Sequence, residues 1–370
     1  MGNIRKEDKM SPWQFAIILT LLGFGASVIT ASNKLVPFAG LTTWLAVLVA
    51  GGVYFGVAYF MIIFANMFPR ETIVIYSQRI WGRPIAIAFI WMMIIIFMIE
   101  IIIKIQIFSR EITFFMFDRT PHEVIILTML AVCGYCALQD LGTLIRVSHI
   151  IFFTAVPMMM GIILLGYINF QFINIYPLWP KDIYGMVQAV LNCWVFFFGY
   201  EFILLLLPYV YKGNTSVVKA IGVSFIVKAV AMAVSILMTV GSLTVEAVKA
   251  IPYPTLVAIR SVELPGTFVE RLDNYVFIAW IPLIFTTGSL FLFLAATAAA
   301  ELHRYSDHRP FVFLFIPVLF IGSTGMHDLP AFEFVARNVH WLGLFFSFGV
   351  IPATYLMARW QRHKKVVRAG

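Results

Sequence analysis

WVFFFGYEFILLLLP, residues 194–208, is apolar at almost every position, yet Gly199, Tyr200 and Glu201 interrupt it near its middle. Glycine costs about 1 kcal/mol relative to alanine in a helix interior and opens positive φ. A carboxylate at a helix centre costs about 2.5–3.5 kcal/mol on insertion scales, so Glu201 is expected to face the interior, paired or protonated. The stretch predicts a span that stops, unwinds and restarts.

The same interruption occurs in FAIILTLLGFGASVITA, residues 15–31, where Gly23 and Gly25 flank Phe24 and the small residues Ala26 and Ser27 follow. Around these two stretches the 370-residue chain is 61% hydrophobic and 12% charged, whereas soluble domains carry about 25% charged residues. Apolar runs near the length of a bilayer crossing recur from end to end. Ten spans are expected, at 13–31, 41–65, 84–117, 123–141, 148–168, 184–210, 217–240, 273–299, 310–324 and 340–358. The interrupted spans are the first and the sixth, so they open two five-span halves, 1–168 and 184–358. With an odd number per half, a second half that repeats the first must be inverted across the membrane. Paired breaks at corresponding positions point to a binding site at the bilayer midplane.

No polar stretch is long enough for a soluble domain, so a single integral-membrane domain over 1–370 is expected. The first apolar run reads as a retained span rather than a cleaved signal. The connection 241–272 mixes apolar and charged residues at helix-like spacing, which predicts one or two short surface helices outside. With the N-terminus inside, cytoplasmic segments hold sixteen Lys and Arg and the outside segments eight. Both termini are therefore expected in the cytoplasm. The net charge of +8 is that inside bias rather than a nucleic-acid footprint, and the basic tail 359–370 suits anionic headgroups.

The chemistry of catalysis is not visible. Cys133 and Cys136 form a CxxC, but inside an apolar helix, where packed thiols are the expected reading. No HxxxH or ExxH spacing suggests a metal, and no nucleophile–base pair, phosphate loop or cofactor fingerprint occurs. Neither an enzyme, a cofactor nor a metal site is expected.

The polar residues inside the spans are few. Glu100 and Lys104 share one helix face at i,i+4 and read as an interhelical ionic network. Lys228 stands alone midway along the seventh span and needs an acceptor. Thr286, Thr287 and Ser289 lie mid-span in the eighth helix, where hydroxyls usually bond back to their own backbone. Gly52 and Gly56 form a GxxxG that suits close helix packing. At the first break, a half-helix starting after Gly25 would aim its positive end at a ligand carboxylate. Freed carbonyls around Phe198–Tyr200 would receive an ammonium or hydroxyl. A zwitterionic amino acid or another small polar nutrient fits that arrangement.

YPTLVAIRSVELPGTFVERLDNYVFIAWI, residues 253–281, resembles the signature of the spore germination permease-like proteins, the B subunits of nutrient germinant receptors. FAGLTTWLAVLVAG at 38–51, NMFPRETIVIYSQRIWGRPIA at 66–86, LGTLIRV at 141–147 and FGYEFILLLLP at 198–208 are further likenesses. The resemblance implies the amino acid–polyamine–organocation superfamily: an all-α membrane protein of ten transmembrane helices in a five-plus-five inverted repeat, LeuT-like, with helices 1 and 6 broken near the midplane. It implies a nutrient sensor of the spore inner membrane, acting with an A subunit and a lipoprotein C subunit. The ligand residues it implies are Gly25, Ala26, Ile101, Gly199, Tyr200, Glu201 and Thr287. A proton-coupled amino acid transporter and a channel-forming subunit stay open. The fifth span, SHIIFFTAVPMMMGIILLGYI, has no lysine or acid, which weakens ion coupling but leaves Glu201 or Glu100 as a proton site.

Overall fold

Ser11 starts the first helix with a capping box: its hydroxyl accepts the Gln14 amide, and the Gln14 side chain accepts the amide of Ser11. The computed structural model describes residues 9–69, 71–117, 119–176, 182–211, 216–263, 272–325 and 329–367. Helix α1 (Pro12–Leu21) ends where Leu22 turns extended, and α2 (Phe24–Ala39) begins after Gly23, whose φ is 78°. A 3-10 turn at Gly40–Thr42 leads into α3 (Thr43–Ala65), followed by α4 (Ile73–Trp81), α5 (Arg83–Phe115), α6 (His122–Ala137) and α7 (Leu141–Leu165). Asp140 caps α7 by accepting the Thr143 amide at 2.7 Å.

The next span comes in pieces. α8 (Ile183–Asn192) and α9 (Trp194–Phe197) run to Phe198, and a 3-10 turn at Tyr200–Phe202 leads into α10 (Ile203–Leu206). The two arms, Ile183–Phe197 and Tyr200–Tyr209, meet at 52°. Then come α11 (Val217–Leu243), α12 (Val245–Ala250), α13 (Pro254–Arg260), α14 (Leu272–Leu302), α15 (Arg309–Thr324), α16 (Leu329–Phe345), a π turn at Phe346–Val350, and α17 (Ile351–Val367).

Among the described residues no strand forms beyond one isolated bridge between Met10 and Val210. Met10 donates to Tyr209 O and Tyr211 donates to Met10 O, both at 3.0 Å, tying the residue before α1 to the residues after α10. Among the described residues, six helical runs are long and apolar enough to cross a membrane, taking α2 and α3 as one, or seven where the bent pair is taken as one span. α1, α6 and α15 are shorter apolar helices.

α14 is the central pillar, packed by α5, α6, α7 and α15. Its Ala295, Ala296, Ala298, Ala299 and Ala300 are all buried, and such small residues let neighbouring backbones approach closely. The outer surface exposes Ile85, Ile95, Tyr135, Ile150, Phe153, Phe313, Ile321 and Leu356. An apolar core inside an apolar rind is what a lipid solvent demands, and this is an integral membrane protein.

α4 falls between the second and third expected spans, in a stretch read as a connection. In the connection 241–272, α12 lies at the surface with Glu246, Lys249 and Ala250 exposed, but α13 is not a surface helix. Val248, Leu256, Ala258 and Ile259 are buried, and α13 packs on α2, α11 and α14. Asn33 donates to the Pro252 carbonyl, and Ser32 and Thr239 bond the Thr255 hydroxyl. These bonds staple the connection onto α2. Residues 264–271 of the signature stretch lie outside the described residues, as do Arg5, Lys6, Arg70, Lys181, Lys212, Arg271 and Arg368 of the orientation count.

Candidate functional site

The first break strands two carbonyls. Where α1 stops, Leu21 O and Leu22 O lose the helical donors that would have served them. An unpaired buried carbonyl costs about 1–3 kcal/mol. Two other helices supply the donors. Thr287 Oγ1 of α14 lies 3.1 Å from Leu21 O and also bonds back to Leu283 O at 2.8 Å. Lys228 Nζ of α11, only 3% exposed, donates to Leu22 O at 2.7 Å. The isolated lysine thus finds its acceptor in unwound backbone.

The second break is built around its own carboxylate. Phe198 is extended and Gly199 has φ 113°. Gly199 N–H donates to Glu201 Oε2 at 3.0 Å, and Ser347 Oγ donates to Glu201 Oε1 at 2.9 Å. Glu201 is fully buried, with a hydrogen-bond donor on each oxygen. The two breaks touch. A Cβ placed on Gly199 would lie 2.9 Å from Leu22 Cβ, and one on Gly23 would lie 3.3 Å from Phe196 O.

Gly25 sits inside the first turn of α2, not at the break itself. A Cβ there would stand 2.8 Å from Leu283 Cβ and 2.9 Å from Trp280 Cδ1, so its role is close approach. The fully buried Trp280 indole N–H beside it has no hydrogen-bond partner among the described residues. The first amide of α2 to close an intrahelical bond is that of Ser27, to Gly23 O at 2.8 Å. The amides of Phe24, Gly25 and Ala26 precede it and form the positive end of the half-helix. Ala26 is 8% exposed, and its carbonyl accepts the Thr30 hydroxyl. Tyr200 stacks on Tyr54 with centroids 6.0 Å apart.

Glu100 and Lys104 pair within α5 rather than between helices. Lys104 Nζ also lies 5.3 Å from the Phe291 ring centroid and 5.9 Å from that of Phe198. That cation–π contact links α5 to α14 and to the second break. Ile101, 1% exposed beside Glu100, offers only apolar surface. Thr286 and Ser289 bond back to Pro282 O and Phe285 O. Gly51 packs against Ala229, but a Cβ on Gly52 or Gly56 would meet open space, so the GxxxG is not an internal packing face. Cys133 and Cys136 are buried free thiols.

The structure therefore gathers Gly25, Gly199, Glu201 and Thr287 around the two breaks, with Lys228 among them. Sequence reasoning missed Trp280 and Ser347. The first stands in the signature stretch and had a signal; the second stands in FSFGVIP, where only Pro352 hints at irregular backbone.

Residues 9–328 match the family described as spore germination protein. The chain belongs to that family. It is similar to spore germination protein YndE of Bacillus subtilis (strain 168), 25% identical over 323 residues, covering 86% of this chain and 87% of the relative. Spore germination protein B2 of the same organism is 22% identical over 276 residues, 75% of each chain. Spore germination protein GerLB of Bacillus cereus is 22% identical over 336 residues, covering 89% of this chain and 88% of the relative. Relatives that align over most of their own length make the whole bundle, not one motif, the unit of likeness.

Proposed function

We infer that this chain is the membrane-embedded nutrient-sensing subunit of a spore germination receptor. It takes a small polar ligand, such as an amino acid, where the two broken helices meet. The observation that carries this is the set of unspent donors at that junction: the opening amides of α2 and the buried, unpartnered indole N–H of Trp280. Together they suit a carboxylate. Gly25, Ala26, Ile101, Gly199, Tyr200, Glu201 and Thr287 are the contacts in this reading, with Trp280 added. Binding signals by favouring one conformation; about 1.4 kcal/mol of differential affinity gives a tenfold bias.

The same reading makes the chain a ten-crossing, five-plus-five inverted repeat in the spore inner membrane, with both termini cytoplasmic. It works beside an A subunit and a lipoprotein C subunit. The paired breaks, one opening each half, support the repeat. The second reading is a proton-coupled amino acid permease, favoured by the burial of Glu201 and Lys228 at the junction. Against it, Thr287 and Lys228 already hold the unwound carbonyls from inside the protein.

Proteoliposomes supplied with labelled L-amino acids separate the two. Saturable binding without accumulation is expected; concentrative uptake by the isolated chain would overturn the sensor. For the site, Trp280→Phe keeps the ring and removes one donor. It is expected to raise the nutrient concentration for half-maximal response about tenfold, the loss of a charge-assisted hydrogen bond. Membrane abundance should be unchanged. An unaltered dose response would remove Trp280 from the site.

A further inference from the structure

Phe346–Val350 form a π turn between α16 and α17, and Pro352 accounts for it. Proline has no N–H and crowds the carbonyl four residues back, here that of Phe348, and the wider turn accommodates it. π turns inside long helices concentrate at functional sites. This one carries Ser347, 1% exposed, whose hydroxyl donates to Glu201 Oε1. The last span thereby holds the carboxylate of the second break. α16 also packs on α5 and α9, and α17 on α4.

A second partner stands within reach. Tyr200 and Trp194 are fully buried, and the Tyr200 hydroxyl lies within interaction reach of both Ser347 and Trp194. Ser347 has one hydroxyl proton to give, and Glu201 holds it, while the Ser347 oxygen stays open to accept from Tyr200 Oη. If Glu201 is engaged elsewhere, the Ser347 proton is free to turn to Tyr200 Oη.

We propose that Ser347 is a positioning residue for Glu201 and that the last span reads the state of the second break through it. When a ligand ammonium takes Glu201 Oε1, Ser347 passes to Tyr200 Oη and the π turn moves with it. The resting contact stands without the nutrient reading; the ligand-driven exchange rests on it.

Hydrogen-exchange mass spectrometry on the full chain in nanodiscs tests both parts. Ser347→Ala is expected to speed amide exchange at 199–202 about fivefold, the loss of one buried hydrogen bond. Exchange across 12–21 should stay unchanged, and Ser347→Thr should restore the wild-type rate. Glu201→Ala should in turn speed exchange at 346–350. Acceleration confined to the mutated segment, or spread evenly over the chain, would overturn the coupling. With a mixture of the twenty L-amino acids as the probe, exchange at 346–350 should rise in the wild type and not in Ser347→Ala. A wild type that ignores the mixture while the resting coupling holds would sink the nutrient reading and the exchange step, and leave the positioning role intact.

Discussion

Gly199→Ala is expected to pull the two breaks apart and lower the thermal midpoint of the solubilised protein by roughly 3–8 °C, taking about 1.3 °C per kcal/mol from about 2.1 cal/mol/K of unfolding entropy per residue. Two costs combine. At φ 113° an L-residue occupies sparsely populated backbone space, worth about 1–3 kcal/mol. The new methyl would also stand 2.9 Å from Leu22 Cβ and 3.0 Å from Leu22 Cδ1, an overlap worth about 1–3 kcal/mol. The new Cβ is fixed to the Gly199 backbone, and the Leu22 Cβ that it meets is fixed to backbone that Lys228 and Thr287 hold, so the overlap cannot relax by a side-chain rotation. Gly56→Ala is the control. It sits in a helix, with nothing within 4 Å of the new Cβ, and should leave the midpoint unchanged or raise it slightly. Equal midpoints for Gly199→Ala and Gly56→Ala would show that the breaks do not depend on each other.

The breaks were legible in the sequence because glycine inside an apolar span has few innocent explanations. Their fine placement was not. Gly23 and Gly25 look alike on paper, yet Gly23 supplies positive φ and Gly25 supplies room for Trp280 and Leu283. One is a demand of the backbone and the other of packing, and a run of letters shows neither neighbour. Lys228 announced that it needed an acceptor, but a backbone carbonyl 206 positions away carries no residue signature. Ser347 meets Glu201 across 146 positions, and serine in an apolar span is common enough to pass unnoticed. α12 and α13 were expected as short helices, but the burial of α13 depends on the α2, α11 and α14 surfaces that receive it. Local pattern revealed what had to be unusual; the partners that make it tolerable are tertiary.

Lys228→Met should destabilise the protein and uncouple the junction, because the lysine serves two functions there. It satisfies Leu22 O, whose loss as a paired acceptor costs about 1–3 kcal/mol. Its ammonium form also lies within electrostatic reach of Glu201, in an interior that has no water to screen either group. The two functions separate in a double-mutant cycle. If the charges support each other, Lys228→Met combined with Glu201→Gln should cost less than the sum of the single changes, with a coupling of about 0.5–3 kcal/mol. Gln keeps one oxygen for the Gly199 N–H, and its amide NH2 can donate to the Ser347 hydroxyl oxygen, so Glu201→Gln alone removes charge more than bonding. Strict additivity in thermal midpoints would reduce Lys228 to a plug for one carbonyl. Coupling would mean that the first break, held by α11, and the second, held by its own carboxylate, form one electrostatic unit. A ligand that engages Glu201 would then also change the hold on Leu22, and the half-helices would respond together.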